Sequence, residues 1–263
     1  MEILKVENLS AGYENGHVIK DISFSLKQGE SISILGKNGA GKSTLIKALQ
    51  GLLKNVSGKV TVEGENVLSL KPRQVAKRIA YVPQIFSFAF EFSVMEIILM
   101  GRYIHQGRLG GCSTKDLETI EEVMSLTQIT HFRDKKIAHL SGGERQRVFI
   151  ARALAQDTSL IFLDEPSSHL DISYQVEIYH ILKKLQEEKG KTILCTEHNI
   201  NLAIPYSQKI IFLKEGQIQA MGPPEKLITK ENIKDVFEAD VEIRENIHSK
   251  LPEISLIPKL DKS

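Results

Sequence analysis

The run Gly36-Lys37-Asn38-Gly39-Ala40-Gly41-Lys42-Ser43 fits the pattern GxxxxGK[ST], and its setting narrows the fold more than any other feature of the chain. Ser31-Ile32-Ser33-Ile34-Leu35 before it has the pattern of a short buried strand, and a helical pattern from about Lys42 to Leu52 follows. A strand, a glycine-rich loop and a helix in that order make a phosphate cradle. Glycines let backbone N–H groups converge on phosphate oxygens, and the helix N-terminus adds partial positive charge. Lys42 is placed to reach the outer phosphates and Ser43 to give an oxygen to Mg²⁺. With Thr44 next to it, the whole loop is the candidate phosphate-binding set. A chance match in a chain of this length is on the order of 1%.

Around the loop the pattern alternates β and α. Ile3 to Leu9 and Val18 to Leu26 read as β, with a Gly/Asn-rich turn between them. Lys59 to Val62 and Ile79 to Val82 read as further strands, with Lys71 to Arg78 helical between them. From about Phe92 to Ala155 the pattern is helical, with no convincing strand. Strand signals return at Leu160 to Leu163, Thr192 to Cys195 and Lys209 to Leu213, separated by helical stretches such as Ser173 to Glu188. This is a βαβ alternation with a helical insertion. The tail, Asp240 to Ser263, carries Pro252 and Pro258 and has room for a hairpin.

Composition excludes other classes. The 263 residues are 41% hydrophobic and 25% charged, ordinary globular usage, which rules out disordered and fibrous chains. The net charge of +1 gives no whole-chain attraction to nucleic acid or an acidic membrane surface. Cys112 and Cys195 form no CxxC pair, and the eight His make no HExxH motif, so neither a disulfide framework nor a zinc site is expected. The two thiols read as ordinary packed or surface groups. The opening Met1-Glu2-Ile3-Leu4-Lys5 has no apolar leader, and no run of about 18 apolar residues exists. If the protein works at a membrane, another chain must hold it there.

Two more motifs carry chemistry. Leu160-Ile161-Phe162-Leu163-Asp164-Glu165 is an apolar strand ending in two carboxylates. Asp164 is suited to hold Mg²⁺, directly or through water, and Glu165 to polarise an attacking water as general base. Alone, a strand end emerging into solvent would explain the pair; beside a phosphate loop that reading weakens. Leu140-Ser141-Gly142-Gly143-Glu144 precedes a helix, Glu144 to Ala155, that carries Arg145, Arg147 and Arg152. Ser141, Gly142 and Gly143 make a second helix N-terminus able to bind phosphate. One nucleotide seldom needs two such sites from one domain, so the economical reading gives this one to a nucleotide held by another copy, in a two-fold dimer.

On these motifs the chain resembles the nucleotide-binding subunits of ABC transporters over about residues 1 to 238. The resemblance implies a P-loop NTPase core, α/β in class, with an N-terminal antiparallel β subdomain and a helical subdomain inserted at about 85–156; residues 239–263 would be a short C-terminal extension. It implies ATP and Mg²⁺ as cofactors and ATP hydrolysis as the reaction. It also gives roles to further residues. Tyr13 would stack on adenine, Gln84 would sense Mg²⁺ and water and link to the permease, and Asp171, in Ser168-His169-Leu170-Asp171, would communicate across the dimer. His198 would contact the γ-phosphate, although Thr196-Glu197-His198-Asn199 lacks the family's usual hydroxyl before His and Asp after it.

A finer resemblance, in Val94 to His105 and in Gly222 to Val241, is to the subunits serving importers of iron-siderophores, haem, cobalamin and related chelates or oxyanions. Ile104 stands where that pattern normally has Pro. The implied partners are a second copy, integral-membrane permease subunits and, indirectly, a periplasmic or surface substrate-binding protein, with no nucleic acid. The implied place is the cytoplasmic face of the membrane. The alternative is a soluble ABC ATPase of the iron–sulfur assembly type, which needs no permease. The alternation Phe86, Phe88, Phe90, Phe92 reads either as core of the helical lobe or as a groove for a permease helix.

Overall fold

The computed structural model describes residues 1–14, 16–84, 91–106 and 111–257. The first two strands, β1 (Glu2–Tyr13) and β2 (Gly16–Lys27), form a long antiparallel hairpin. β3 (Ser31–Leu35) leads through the glycine loop into α1 (Lys42–Leu49). β4 (Asn55–Val62) and the two-residue β5 (Glu65–Asn66) complete a four-stranded antiparallel sheet in the order β2-β1-β4-β5. The short helix α2 (Pro72–Ala76) leads into β6 (Ile79–Val82).

Three helices follow: α3 (Val94–Arg102), α4 (Thr114–Leu126) and α5 (Gly142–Leu154). Each starts with the same device. Ser93, Ser113 and Ser141 accept from the N–H three residues on, while Glu96, Asp116 and Glu144 bond back to the cap N–H. The chain then returns to the sheet with β7 (Leu160–Asp164), α6 (Ile172–Lys189), β8 (Thr192–Glu197), the short α7 (Ile200–Ala203), β9 (Lys209–Lys214) and β10 (Gln217–Gly222). It closes with α8 (Pro224–Leu227), α9 (Lys230–Phe237) and the hairpin β11 (Val241–Glu245) and β12 (Pro252–Leu256).

The main sheet runs β10-β9-β3-β8-β7-β6, parallel from β9 to β6 with β10 antiparallel at one edge. β3, β7 and β8 are buried at every position, as strands covered on both faces must be. That is why their sequences read as continuous apolar runs. One core joins the antiparallel sheet to α1 and the adjoining face of the main sheet, with Leu4, Ile22, Leu45 and Phe162 fully buried in it. A second core joins α3, α4 and α5 to α6 and the other face.

Most elements fall where the sequence places them, with shifted ends. The first helix stops at Leu49 because Gly51 adopts a φ of 68°. The helix expected from Glu144 begins two residues earlier, since the Ser141–Glu144 capping box draws both glycines into its first turn. The strand expected to end at Cys195 continues through Thr196 and Glu197, polar but fully buried. Among the described residues the helical stretch holds one isolated bridge, Ser93 to Lys136. β10 and α9 were not anticipated. The tail does form a hairpin, which is packed down: Asn201 exchanges two 2.8 Å hydrogen bonds with the backbone of Ile254. Phe92 packs against the core of the helical lobe, whereas Phe86, Phe88, Phe90, Gly110 and Pro258 lie outside the described residues.

Candidate nucleotide site

The loop after β3 is shaped by neighbours as much as by its own sequence. A side chain at Gly36 would place its Cβ 2.2 Å from the Leu213 carbonyl oxygen on β9, so no other residue fits there. Gly41, with φ 102°, caps α1, and the helix N-terminus opens into a cleft of about 600 Å³. Asn38, Gly39, Gly41, Lys42, Ser43 and Thr44 line that cleft. Lys37 and Ala40 complete the turn; Lys37 also pairs with Glu238 at 2.6 Å.

The carboxyl ends of β6, β7 and β8 bring in the remaining groups, as expected for ligand sites in parallel sheets. Lys42 is buried, and its ammonium donates to the carbonyls of Gly36 (2.9 Å) and Lys37 (3.3 Å) and lies 3.3 Å from Glu165 Oε1. Ser43 Oγ donates to Asp164 Oδ1 at 3.2 Å. Thr196 Oγ1 donates to the same oxygen at 2.6 Å and accepts from the Glu165 N–H at 3.0 Å. Glu165 has a φ of 46°, rare for a residue with a side chain, and two hydrogen bonds from its N–H to Thr196 hold it so. Its carboxylate thereby faces the cleft. Gln84 Nε2 donates to Oε2 at 2.8 Å, and His198 Nδ1 lies 3.6 Å from the same atom. Near Asp164, burial first and then the aspartate's charge push the Tyr81 phenol upward, so it keeps its proton.

One cleft therefore gathers Tyr13, the loop, Gln84, Glu165 and His198, with Asp164 beneath Ser43. Tyr13, at the end of β1, is half exposed and lines the cleft, and its ring is of a kind suited to stacking. Ser168 and His169 line the cleft as well, and so does Val18 on β2, beside Tyr13. Sequence reasoning missed Val18, and it missed Thr196 and Glu197 as supports; the available signal was a pair of polar residues ending an otherwise apolar strand.

Four predicted residues lie elsewhere. Ser141, Gly142, Gly143 and Asp171 are not among the residues lining this cleft. Ser141 Oγ accepts from the Glu144 N–H, and the Ser141 N–H donates to Glu144 at 2.7 Å, which holds that carboxyl below its ordinary range. Gly143 packs so closely on Tyr174 of α6 that a Cβ there would lie 2.3 Å from the ring. The turn is thus fixed beside the first turns of α6, where Asp171 is the cap residue.

Comparison with known proteins now decides the family. The model described as ABC transporter matches residues 19–168, from β2 through the glycine loop and the Ser141 turn to the carboxylates. The chain belongs to the ABC transporter ATP-binding family. It is 37% identical over 259 residues to the ABC transporter ATP-binding protein YvrA of Bacillus subtilis, covering 98% of this chain and 59% of that protein. It is 36% identical over 234 residues to the ferric enterobactin transport ATP-binding protein FepC of Escherichia coli, covering 89% of this chain and 86% of that one. Among solved structures it is similar to a metal-chelate type ABC transporter in an inward-facing conformation, with a TM-score of 0.86 and 29% identity over 98% of this chain and 99% of that one. It is also similar to the dimeric ATP-binding cassette MJ0796 bound to ADP and Pi, with a TM-score of 0.73 and 30% identity over 84% and 98% of the two chains. The ABC ATPase fold, the binding of nucleotide and ATP hydrolysis follow from membership.

Two of the cleft's oxygens suit a cation. Ser43 Oγ and Asp164 Oδ1 are hard donors placed together, and Mg²⁺ commonly takes one or two protein oxygens and completes its shell with phosphate and water. Among the described residues no group of three or more His, Cys, Asp or Glu could hold a metal alone. The pair of hard oxygens fits Mg²⁺ brought in with a nucleotide. Cys195 is buried, which drives its thiol upward and makes it inert, while Cys112 is exposed.

Proposed function

We propose that two copies of this chain bind two ATP molecules between them and drive a membrane permease that imports a metal chelate of the iron-siderophore, haem or cobalamin kind. The observation carrying the reading is the separation just described. One chain holds a cradle with Lys42, Asp164, Glu165, Gln84 and His198 converging on it, while the Ser141 turn is capped and packed but lies outside. A second copy can supply that turn as a lid.

In this account the loop amides and Lys42 hold the β- and γ-phosphates and Tyr13 stacks on the base. Ser43 and Asp164 would hold Mg²⁺, with Gln84 beside it; when bound, the cation neutralises charge developing on the phosphates. Glu165 accepts the proton of the attacking water, and His198 orients that water and the γ-phosphate. Ser141 and Gly143 from the partner donate to the same γ-phosphate, and Asp171 lies on the face that meets the partner. ATP favours the closed pair by contacts that the open pair lacks, and hydrolysis removes them. Residues 1–238 form the working unit and 239–263 a short C-terminal extension, of which the β11–β12 hairpin packs back on Asn201.

The import class is supported by the enterobactin relative and the metal-chelate transporter fold. No helix among the described residues is long and apolar enough to cross a membrane, so attachment by a permease fits, at the cytoplasmic face, with a substrate-binding protein acting outside. The test is co-expression with a metal-chelate permease. Recovery of a membrane complex whose ATPase rises with a ferric siderophore or cobalamin supports the reading; a chain that stays unattached and unresponsive to each contradicts it.

A further inference from the structure

Glu197 ends β8 and is completely buried. A carboxylate cut off from water at the end of a parallel strand requires donors, and three reach it. Ser167 Oγ donates to Oε1, and the backbone N–H groups of His198 and Asn199 donate to Oε2 at 3.1 and 3.4 Å. The buried Tyr179 hydroxyl borders the same group, and burial pushes it upward, so it too keeps its proton.

These donors come from two segments that border the cleft. Ser167 sits two residues beyond Glu165, in the turn that delivers Ser168 and His169 to the cleft wall. His198 and Asn199 leave the end of β8 and enter α7. The His198 side chain is 52% exposed, so packing does little to place its ring; its backbone is what the fold holds, and Glu197 is the side chain that holds it.

We propose that Glu197 is a positioning residue whose carboxylate clamps the main chain of His198 and Asn199 to the Ser167 turn and so sets the His198 ring against Glu165. This rests on the roles given above to His198 and Glu165. The clamp stands where the family pattern has a hydroxyl before the histidine, and it links the two cleft walls through one side chain. A displacement of about 1 Å at such a ring is enough to cost a large share of turnover.

The test is steady-state ATPase on the full chain. E197M keeps the length of the side chain and removes every acceptor. Its kcat falls on the order of tenfold while KM for ATP stays within about twofold, because the phosphate loop is untouched. E197Q restores most of the turnover, since its amide oxygen accepts both N–H groups and its NH₂ donates to Ser167 Oγ. S167A, a small change that does not threaten folding, lowers kcat about two- to threefold. Adding E197M to H198A gives no loss beyond H198A alone, as residues acting through one another require. Wild-type turnover in S167A and in E197M, or an additive double mutant, overturns the clamp while leaving the site reading intact. Should E197M not fold, wild-type turnover in S167A alone overturns it. Full turnover in H198A overturns the reading of His198, and the clamp with it.

Discussion

The loop at Gly36–Ser43 and the turn at Ser141–Gly143 are both helix N-termini rich in glycine, yet the fold treats them differently. Around the first, one chain assembles a cleft, a buried lysine, two carboxylates, a glutamine and a histidine. Around the second it assembles support only: a capping box, Tyr174 against Gly143, and Arg147 over the Tyr174 ring, 5.9 Å from its centroid, and 3.4 Å from Glu177. A capped turn packed on Tyr174 and lying outside the cleft of its own chain is suited to serve as a lid for another copy. Under the proposed function, the contrast assigns the cradle to one copy and the lid to its partner.

Variants should separate the two regions. The largest effect belongs to the cradle: K42A loses nucleotide affinity and turnover by at least about 100-fold, read by fluorescent-nucleotide titration and phosphate release. E165Q binds ATP, does not hydrolyse it and accumulates as an ATP-dependent dimer by light scattering. S141R, introduced into that background, keeps binding within about twofold but loses the dimer; a parallel loss of binding would erase the distinction between the regions.

A smaller effect concerns the lobe that carries the turn. Asp116 is held down at about 2, chiefly by the Ser113 hydroxyl and N–H and then by Arg102, from an ordinary 3.8. Its folded form therefore gains stability that is complete above pH 3.8 and is lost as pH falls toward 2. Acid denaturation followed by circular dichroism should be shallower in D116N over that window; an unchanged slope would contradict the assignment. The smallest effect is at the rim. Glu238 pairs with Lys37 at the exposed surface, and E238Q should change neither melting temperature nor turnover measurably.

Much of this was legible in the sequence because the strongest motifs are tied to backbone geometry. GxxxxGKS needs a strand before it and a helix after it, and both are there. Apolar runs such as Leu160–Leu163 announce strands buried on both faces. What sequence could not show was where solvent is absent. Gln217–Gly222 pairs at the sheet edge with mixed exposure, so its pattern carries no clear period. Glu197 looks like a loop residue until β8 is seen to continue through it, and Thr196 becomes a support only once the sheet sets it beside Asp164. Ser141 reads in the sequence as part of a phosphate-binding helix N-terminus, and the structure adds that its hydroxyl caps α5 by accepting from the Glu144 N–H.

The central claim is tested most directly by solving the structure of E165Q with ATP and Mg²⁺ at a resolution that places side chains. The account predicts a two-fold pair in which Ser141 and Gly143 of each copy lie within hydrogen-bond distance of the γ-phosphate held by Lys42 of the other. A triphosphate contacted by one chain alone, with the Ser141 turn facing solvent, would contradict it.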